Sequence, residues 1–285
     1  MRNIALVSAF ALLAAAPVLA QIADGDQHWA ARATGHQGGH AAATDVDAAI
    51  TAYQRAIAQY PNDLEPRWKL LRAIRFKGAY VASTNADKKT IYDVGKRAGE
   101  EAVALIDRQL AAKGLRSVAK ATEKEVADAA RSMPGAAEVF QWDAANWGEW
   151  ALAYGKLAAV RQGAADRIRR EATIAMLIDP NIEGGGPARV LGRLHDQTPR
   201  VPFFTGWASS REAVKLLNDA LRIDPTNKVT RVFLAEAMVD NNSDTKPKAA
   251  QMLRELISSP NNPEYEVEQA AAQDDARALL KKWGA

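Results

Sequence analysis

The sequence feature that most limits the fold is an apolar pattern that recurs ahead of several prolines. Before Pro61 and before Pro225, apolar residues stand at positions i, i+3, i+4, i+7 and i+8, which is the spacing of one face of an α-helix. A proline ends such a helix because it lacks an amide hydrogen and disfavours helical geometry in the residue before it. The two sets are Ala49, Ala52, Tyr53, Ala56 and Ile57, and Ala213, Leu216, Leu217, Ala220 and Leu221.

Two further copies extend the series. One precedes Pro260, which lies 35 residues after Pro225, and a weaker one precedes Pro180. The Asn and Asp residues that follow these prolines can cap the next helix, and Ser209 with Glu212 forms a capping-box pattern. The further copies consist of Ala249, Met252, Leu253, Leu256 and Ile257, and of Ile168, Ala172, Ala175 and Met176.

These units resemble the tetratricopeptide repeat, a helix-turn-helix unit of about 34 residues with small residues in its second helix and a proline near its end. Ala213, Leu217, Ala220 and Pro225 match that pattern. The 59 alanines among 285 residues favour helix over strand and let helices approach closely. We therefore predict an all-α protein, an α-solenoid of tetratricopeptide-like repeats that forms one domain over 46–285.

Residues 1–20 are typical of a secretory signal peptide. Arg2 supplies the positive region, an uncharged and mostly apolar stretch follows over 4–16, and Ala20 is a small residue at the expected cleavage point. The alternative, a retained membrane anchor, needs roughly 18 or more apolar residues, and this run is shorter. We therefore predict a periplasmic protein with a cleaved signal peptide and an irregular segment over 21–45.

Charge and cysteine content limit which partners, cross-links and modifications the chain can have. The formal net charge is +3 without a Lys/Arg cluster, which argues against nucleic acid as a partner. The chain has no cysteine, which excludes a disulfide scaffold, a zinc-thiolate site and a lipid-modified cysteine. The protein is accordingly predicted not to be a lipoprotein.

Motifs of catalysis and metal binding are weak in this sequence. It lacks GxSxG, HExxH and a P-loop, and three of its four histidines lie near the start. His36 and His40 have the spacing of two metal ligands on a helix, but Gly38 and Gly39 disfavour a helix between them. We predict a non-enzymatic protein without metal or cofactor. Catalysis stays an alternative, because a carboxylate pair assembled by the fold would leave no motif.

An aromatic stripe marks the segment 134–161. Phe140, Trp147 and Tyr154 recur every seven residues, and Trp150 falls within the same helical face, whereas Trp142 projects to the other side. Two interpretations stay open, because the stripe can be the core seam of a long helix or the lining of a ligand cavity.

The segment 182–207 adds a glycine run and an aromatic loop. Gly184, Gly185 and Gly186 precede a short helix whose N-terminus could hold an anion, although no nucleotide-binding motif is present. Aromatic side chains in a loop are expected to pack on the core or on a partner. The candidate ligand-binding residues are therefore Phe140, Trp147, Trp150, Tyr154, Phe203, Phe204 and Trp207.

Three segments give the chain a resemblance to a known family over most of 46–283. They are AANWGEW at 144–150, GGPARVLGRL at 185–194 and FLAE at 233–236. Together they resemble the T component of tripartite ATP-independent periplasmic (TRAP) transporters. The resemblance implies an exported, non-enzymatic helical protein that associates with the transporter's solute-binding subunit, and that self-assembles into a ring-like homo-oligomer with a hydrophobic cavity or pore in each protomer.

The function predicted from sequence is therefore that of a periplasmic repeat protein, an accessory of TRAP-type solute import. It would bind a partner protein and a hydrophobic small molecule. The alternative is a general periplasmic adaptor or assembly scaffold that uses the same solenoid for a partner unrelated to transport.

Overall fold

A computed structural model describes residues 21–115, 117–200 and 205–285 and confirms the predicted all-α fold. Within these ranges the regular elements are helices, accompanied by an isolated β-bridge between Gln37 and His40. The signal peptide predicted over 1–20 lies outside the described residues. The helices are α1 (21–30), α2 (Ala43–Gln59), α3 (Glu65–Tyr80), α4 (Asn85–Ala112), α5 (Glu123–Ala130), α6 (Ala136–Tyr154), α7 (Lys156–Arg161), α8 (Ala164–Ile178), α9 (Ile182–Gln197), α10 (Ser210–Ile223), α11 (Lys228–Asn241), α12 (Lys246–Ser258) and α13 (Glu266–Trp283).

The prolines end helices where the sequence predicted. Helices α2, α8, α10 and α12 each end two residues before their proline. Asn227 then caps α11 by accepting a hydrogen bond from the Thr230 amide, and Ser209 caps α10 by accepting one from the Glu212 amide. Two of these helices bury their predicted apolar faces through Val46, Ala49, Ala52, Tyr53 and Ala56 of α2, and through Ala213, Leu216, Leu217 and Ala220 of α10.

Helices adjacent in sequence pack as pairs, so the architecture is a helical repeat solenoid. Its core is divided into several apolar clusters that follow one another along the chain. The last helix returns to the first ones, because α13 packs against α3 and Val267 is buried in the same cluster as Val46 and Tyr53. The solenoid therefore closes on itself.

The segment 21–45, predicted to be irregular, contains a helix and is held in place at both ends. Residues 21–30 are helical and carry Trp29, whose ring packs edge-on against Phe76 of α3 with 5.4 Å between centroids. Further on, Gly39 lies so close to α13 that a Cβ there would be 2.5 Å from Ala271 Cα. The helix therefore places Trp29 against the face of α3 that carries Phe76.

A left-handed turn opens α9. Glu183, Gly184 and Gly185 have φ values of 50°, 58° and 80°, and the regular helix begins after them. Positive φ is unfavourable for a residue with a side chain, so Glu183 is locally strained. The turn is held by Arg189, which donates to the carbonyl groups of Glu183 (3.0 Å) and Gly184 (3.3 Å).

No helix among the described residues is long and apolar enough to cross a membrane.

Candidate functional site

A chamber of about 150 Å³ lies where the first, middle and last helices of the closed solenoid face one another. Its walls come from α1, α3, α6, the opening turn of α9, the α10–α11 turn and the start of α13. Residues far apart in sequence therefore meet here only because the solenoid closes. The chamber is lined by the aromatic residues Trp29, Phe76, Tyr80, Trp142 and Tyr265, and by the charged residues Arg72, Arg75, Arg189, Glu183, Asp224 and Glu268.

Arginines and aromatic rings alternate along one wall. The Arg72 guanidinium lies 4.2 Å from the centroid of the Trp29 ring and 4.9 Å from that of Trp68. The Arg32 guanidinium lies 4.4 Å from the centroid of the same Trp29 ring. Cation–π contacts of this kind stabilise the positions of both partners, so the guanidinium groups and the rings of this wall hold one another in place.

Two of the arginines near the chamber have carboxylate partners at hydrogen-bond distance. Arg75 donates to Glu149 Oε1 at 2.6 Å and to the Tyr80 hydroxyl at 3.1 Å. Arg32 donates to Glu268 Oε1 at 3.0 Å, which links the segment after α1 to α13. The Arg75–Glu149 pair joins α3 to α6, and the Arg32–Glu268 pair joins the segment after α1 to α13. Both arginines therefore already have a carboxylate partner.

The other two arginines have no such partner among the described residues. The nearest carboxylate oxygen to Arg72 is Glu183 Oε1 at 3.9 Å, beyond hydrogen-bond distance. Arg189 donates to the two carbonyl groups of the α9 turn and to the Thr230 hydroxyl at 3.3 Å. Burial lowers the pKa of Arg189. Burial raises the pKa of Glu183, and the positive charge of Arg72 offsets part of that increase.

The aromatic stripe of α6 lies on a different side of that helix. Phe140 is fully buried in the cluster with α4 and α5, and Trp147 and Trp150 are 3% and 5% exposed in a cluster with α8 and α9. Asp93 of α4 accepts hydrogen bonds from Trp150 Nε1 (2.8 Å) and from the Tyr154 hydroxyl (2.6 Å). None of these four aromatic residues is among those lining the chamber.

The loop residue Trp207 packs near the start of α10 and also lies away from the chamber. Its ring meets His195 edge-on with 5.2 Å between centroids, and the Arg169 guanidinium lies 4.6 Å from it. Phe203 and Phe204, predicted with it, lie outside the described residues. The structure thus brings Trp147, Trp150 and Tyr154 together and places Trp207 apart from them.

Sequence reasoning did not select the residues that line the chamber. Trp142 was set aside because it projects away from the stripe, and that direction is the one that leads to the chamber. Arg72, Arg75 and Phe76 stand at positions i, i+3 and i+4, which places them on one face of α3. That spacing was visible, but nothing in the sequence says that α3 and α9 meet.

A second cavity is an apolar groove of about 400 Å³ between α10, α11 and α12. Val214 and Leu221 come from α10, Met238 from α11 and Met252 from α12. Two of its lining side chains are methionines, which are flexible and adapt to differently shaped partners.

A buried carboxylate pair lies between α6 and α8. Asp143 is fully buried and Glu171 is 5% exposed. Both contact Arg167, at 2.7 Å from Asp143 Oδ2 and 3.0 Å from Glu171 Oε1. Burial raises the pKa of both carboxyl groups, and the charge of Asp143 raises the pKa of Glu171 further. The pair lies between packed helices and joins α6 to α8 through Arg167.

Among the described residues, no group of three or more His, Cys, Asp or Glu side chains is placed to hold a metal ion. His36 Nδ1 lies 2.9 Å from the carbonyl of Gly38 and belongs to a local turn.

No protein-family model matches the chain, and a search of curated protein sequences finds no match.

Proposed function

We propose that this chain is a non-enzymatic binding protein of the periplasm that assists TRAP-type solute import. The observation that carries the proposal is the closed helical solenoid around a chamber lined by arginines and aromatic rings. A rigid wall of this kind suits recognition of a small molecule. The described charges at the chamber either pair with one another or belong to turns, an arrangement that favours binding over acid–base chemistry.

The transport assignment rests on the resemblance of 144–150, 185–194 and 233–236 to the T component of TRAP transporters. On this assignment the protein partner is the solute-binding subunit of such a transporter. An exposed apolar surface is available for it at the junction of α6 and α7, where Leu152, Leu157 and Val160 are 60%, 66% and 72% exposed. Contiguous exposed apolar side chains are typical of protein-binding surfaces.

A co-purification experiment tests the partner. Tagged chain without residues 1–20 is mixed with a TRAP-type solute-binding subunit from the same genome, and recovery is measured by quantitative mass spectrometry. We expect recovery with the wild-type chain and a loss of roughly tenfold or more for the double variant L157S/V160S, because interface apolar contacts are lost. The matched control L177S changes a leucine that is 40% exposed on α8 and should retain binding. Failure to recover the subunit with the wild-type chain would refute the transport assignment.

The apolar groove between α10 and α12 supports the second candidate, a periplasmic adaptor that holds an extended or helical chain segment. Substituting Met238 and Met252 with Ser distinguishes the two. An adaptor that works through the groove loses its partner in this variant and keeps it in L157S/V160S, whereas the transport accessory shows the reverse.

A further inference from the structure

The two arginines without hydrogen-bonded carboxylates mark one corner of the chamber. Arg72 and Arg189 both act on Glu183 electrostatically, and among the described residues neither donates to a carboxylate. By contrast, Arg75 and Arg32 each have their own carboxylate at hydrogen-bond distance. Arg72 has its counter-charge in Glu183 at 3.9 Å but no hydrogen bond to it. Because charge-assisted hydrogen bonds are strong, a ligand carboxylate that hydrogen-bonds to Arg72 would be favoured at this corner.

Unsatisfied donors point the same way. Two N–H groups of chamber-lining side chains, Arg72 Nε and Trp142 Nε1, are buried and have no hydrogen-bond partner. Among the described side chains that line the chamber, the buried groups left unpaired are these two donors, and no acceptor is in that position. Buried polar groups are normally satisfied. Both donors belong to side chains that border the chamber, which favours a ligand that carries hydrogen-bond acceptors.

Glu183 acts as the internal competitor of such a ligand. Its carboxylate is the nearest acidic group to Arg72, yet at 3.9 Å it stays outside hydrogen-bond distance. Its backbone lies in the left-handed turn before the regular part of α9, at φ 50°. A ligand carboxylate placed nearer to Arg72 and Arg189 would therefore be preferred by both.

Size and shape limit the rest of the ligand. The chamber holds about 150 Å³, a volume at which an engineered protein cavity accepts benzene. The rings of Trp29, Phe76 and Trp142 surround it with flat apolar surface. One anionic group and one ring or short apolar body fill that space.

We propose that the chamber binds a small organic monocarboxylate, with the anionic group between Arg72 and Arg189 and the apolar part against Trp29 and Trp142. The proposal deepens the proposed function by naming the ligand class of the same chamber, and the chamber can bind this class whether or not the chain serves a transporter.

Calorimetric titration of the chain without residues 1–20 tests the ligand class. The probes are benzoate, neutral benzamide and cationic benzylamine, which share a ring and differ in charge. We expect benzoate to bind at least tenfold more tightly than either analogue, because hydrogen bonds to a charged group dominate the discrimination. Equal binding of the three probes, tighter binding of benzylamine, or no binding of benzoate would each overturn the proposal.

Variants test the assigned residues. R72Q is expected to weaken benzoate binding roughly tenfold or more, while R277Q, which removes an exposed guanidinium on α13, leaves it unchanged. E183Q removes the competing carboxylate and is expected to tighten benzoate binding several-fold. Since E183Q predicts a gain, a merely damaged fold cannot imitate the result, and a loss of affinity in this variant would refute the assignment.

The titration and the co-purification fail independently. If the chain binds benzoate and recovers no solute-binding subunit, the proposed anion site stands and the transport assignment is refuted. If the chain recovers the subunit and does not bind benzoate, only the proposed anion site is refuted.

Discussion

Helix α6 has two faces that use the same residue types for different purposes. One face carries Trp147 and Trp150, which are buried against α8 and α9. The indole N–H of Trp150 also donates a hydrogen bond to Asp93 of α4. The other carries Trp142 and Glu149, seven residues apart, which meet the chamber wall and Arg75 of α3. The tryptophans differ in what surrounds them, because Trp147 lies in an apolar cluster and Trp142 borders space. Residue type alone is therefore a poor guide to a ligand site in this protein.

The largest expected effect comes from removing a tryptophan of the packed face. Trp147→Ala should lower the free energy of unfolding by about 3–5 kcal/mol, since it empties a large buried volume. Urea unfolding followed by circular dichroism measures this loss. Benzoate affinity of the folded fraction should stay at the wild-type value, because the ring does not line the chamber.

Trp142→Ala is the matched variant on the other face. It should cost less stability, about 1–2 kcal/mol, because Trp142 is only half-buried, and it should weaken benzoate binding. If Trp147→Ala weakened benzoate binding while Trp142→Ala did not, the assignment of the two faces would be reversed.

The next effect tests how closely the packed face meets α4. A Cβ added at Gly99 would lie 1.9 Å from Asp143 Oδ1, whereas one added at Gly148 meets nothing within 4 Å. Gly99→Ala should therefore destabilise the fold by about 1–3 kcal/mol through overpacking. Gly148→Ala should stabilise it by about 0.5–1 kcal/mol, because alanine is the better helix former. Thermal unfolding of the pair checks the opposite signs, and two shifts of the same sign would contradict the packing described for α4 and α6.

The smallest effect concerns pH and the buried pair of Asp143 and Glu171. Burial raises the pKa of Glu171 in the folded protein, and the charge of Asp143 adds to this shift. The folded state therefore binds the proton more tightly than the unfolded chain. The stabilisation is complete below the unfolded pKa and is lost as the pH rises through the folded one.

Glu171→Gln imitates the protonated carboxyl and should remove this dependence. The variant should match or exceed the wild-type stability at pH 7 by about 1 kcal/mol or less, and this advantage should shrink toward pH 4. Urea unfolding at several pH values measures the difference, and Glu255→Gln, an exposed change on α12, controls for the substitution itself. A difference that stays constant with pH would contradict a raised pKa of Glu171 in the folded protein.

Local structure was predictable from the sequence where its cause is local. The prolines at 61, 180, 225 and 260 end their helices because proline excludes helical geometry before it, whatever the surroundings. Asn227 and Ser209 cap because the free amides they bind lie within three residues. The bounds of the helix at 21–30 were not predicted, because the segment 21–45 shows little periodicity and its helix packs on α3 through Trp29.

The chamber was not predictable for the opposite reason. It joins Trp29, Arg72, Trp142, Glu183 and Tyr265, residues that share no spacing. The packing of α3, α6 and α9 brings the middle three together, and Tyr265 joins them because α13 packs against α3. The stripe on α6 was visible because helical periodicity reveals which residues share a face. Periodicity does not reveal whether that face meets another helix or empty space.

The sequence by itself determined that this chain forms helices, where many of them end, and which faces they bury, because these properties follow from alanine, proline and apolar spacing within a few turns. Only the tertiary structure decided which aromatic and charged residues border the chamber. The chamber residues come from helices that are far apart in the chain, and they meet because those helices pack together. A local sequence pattern carries no information about that packing.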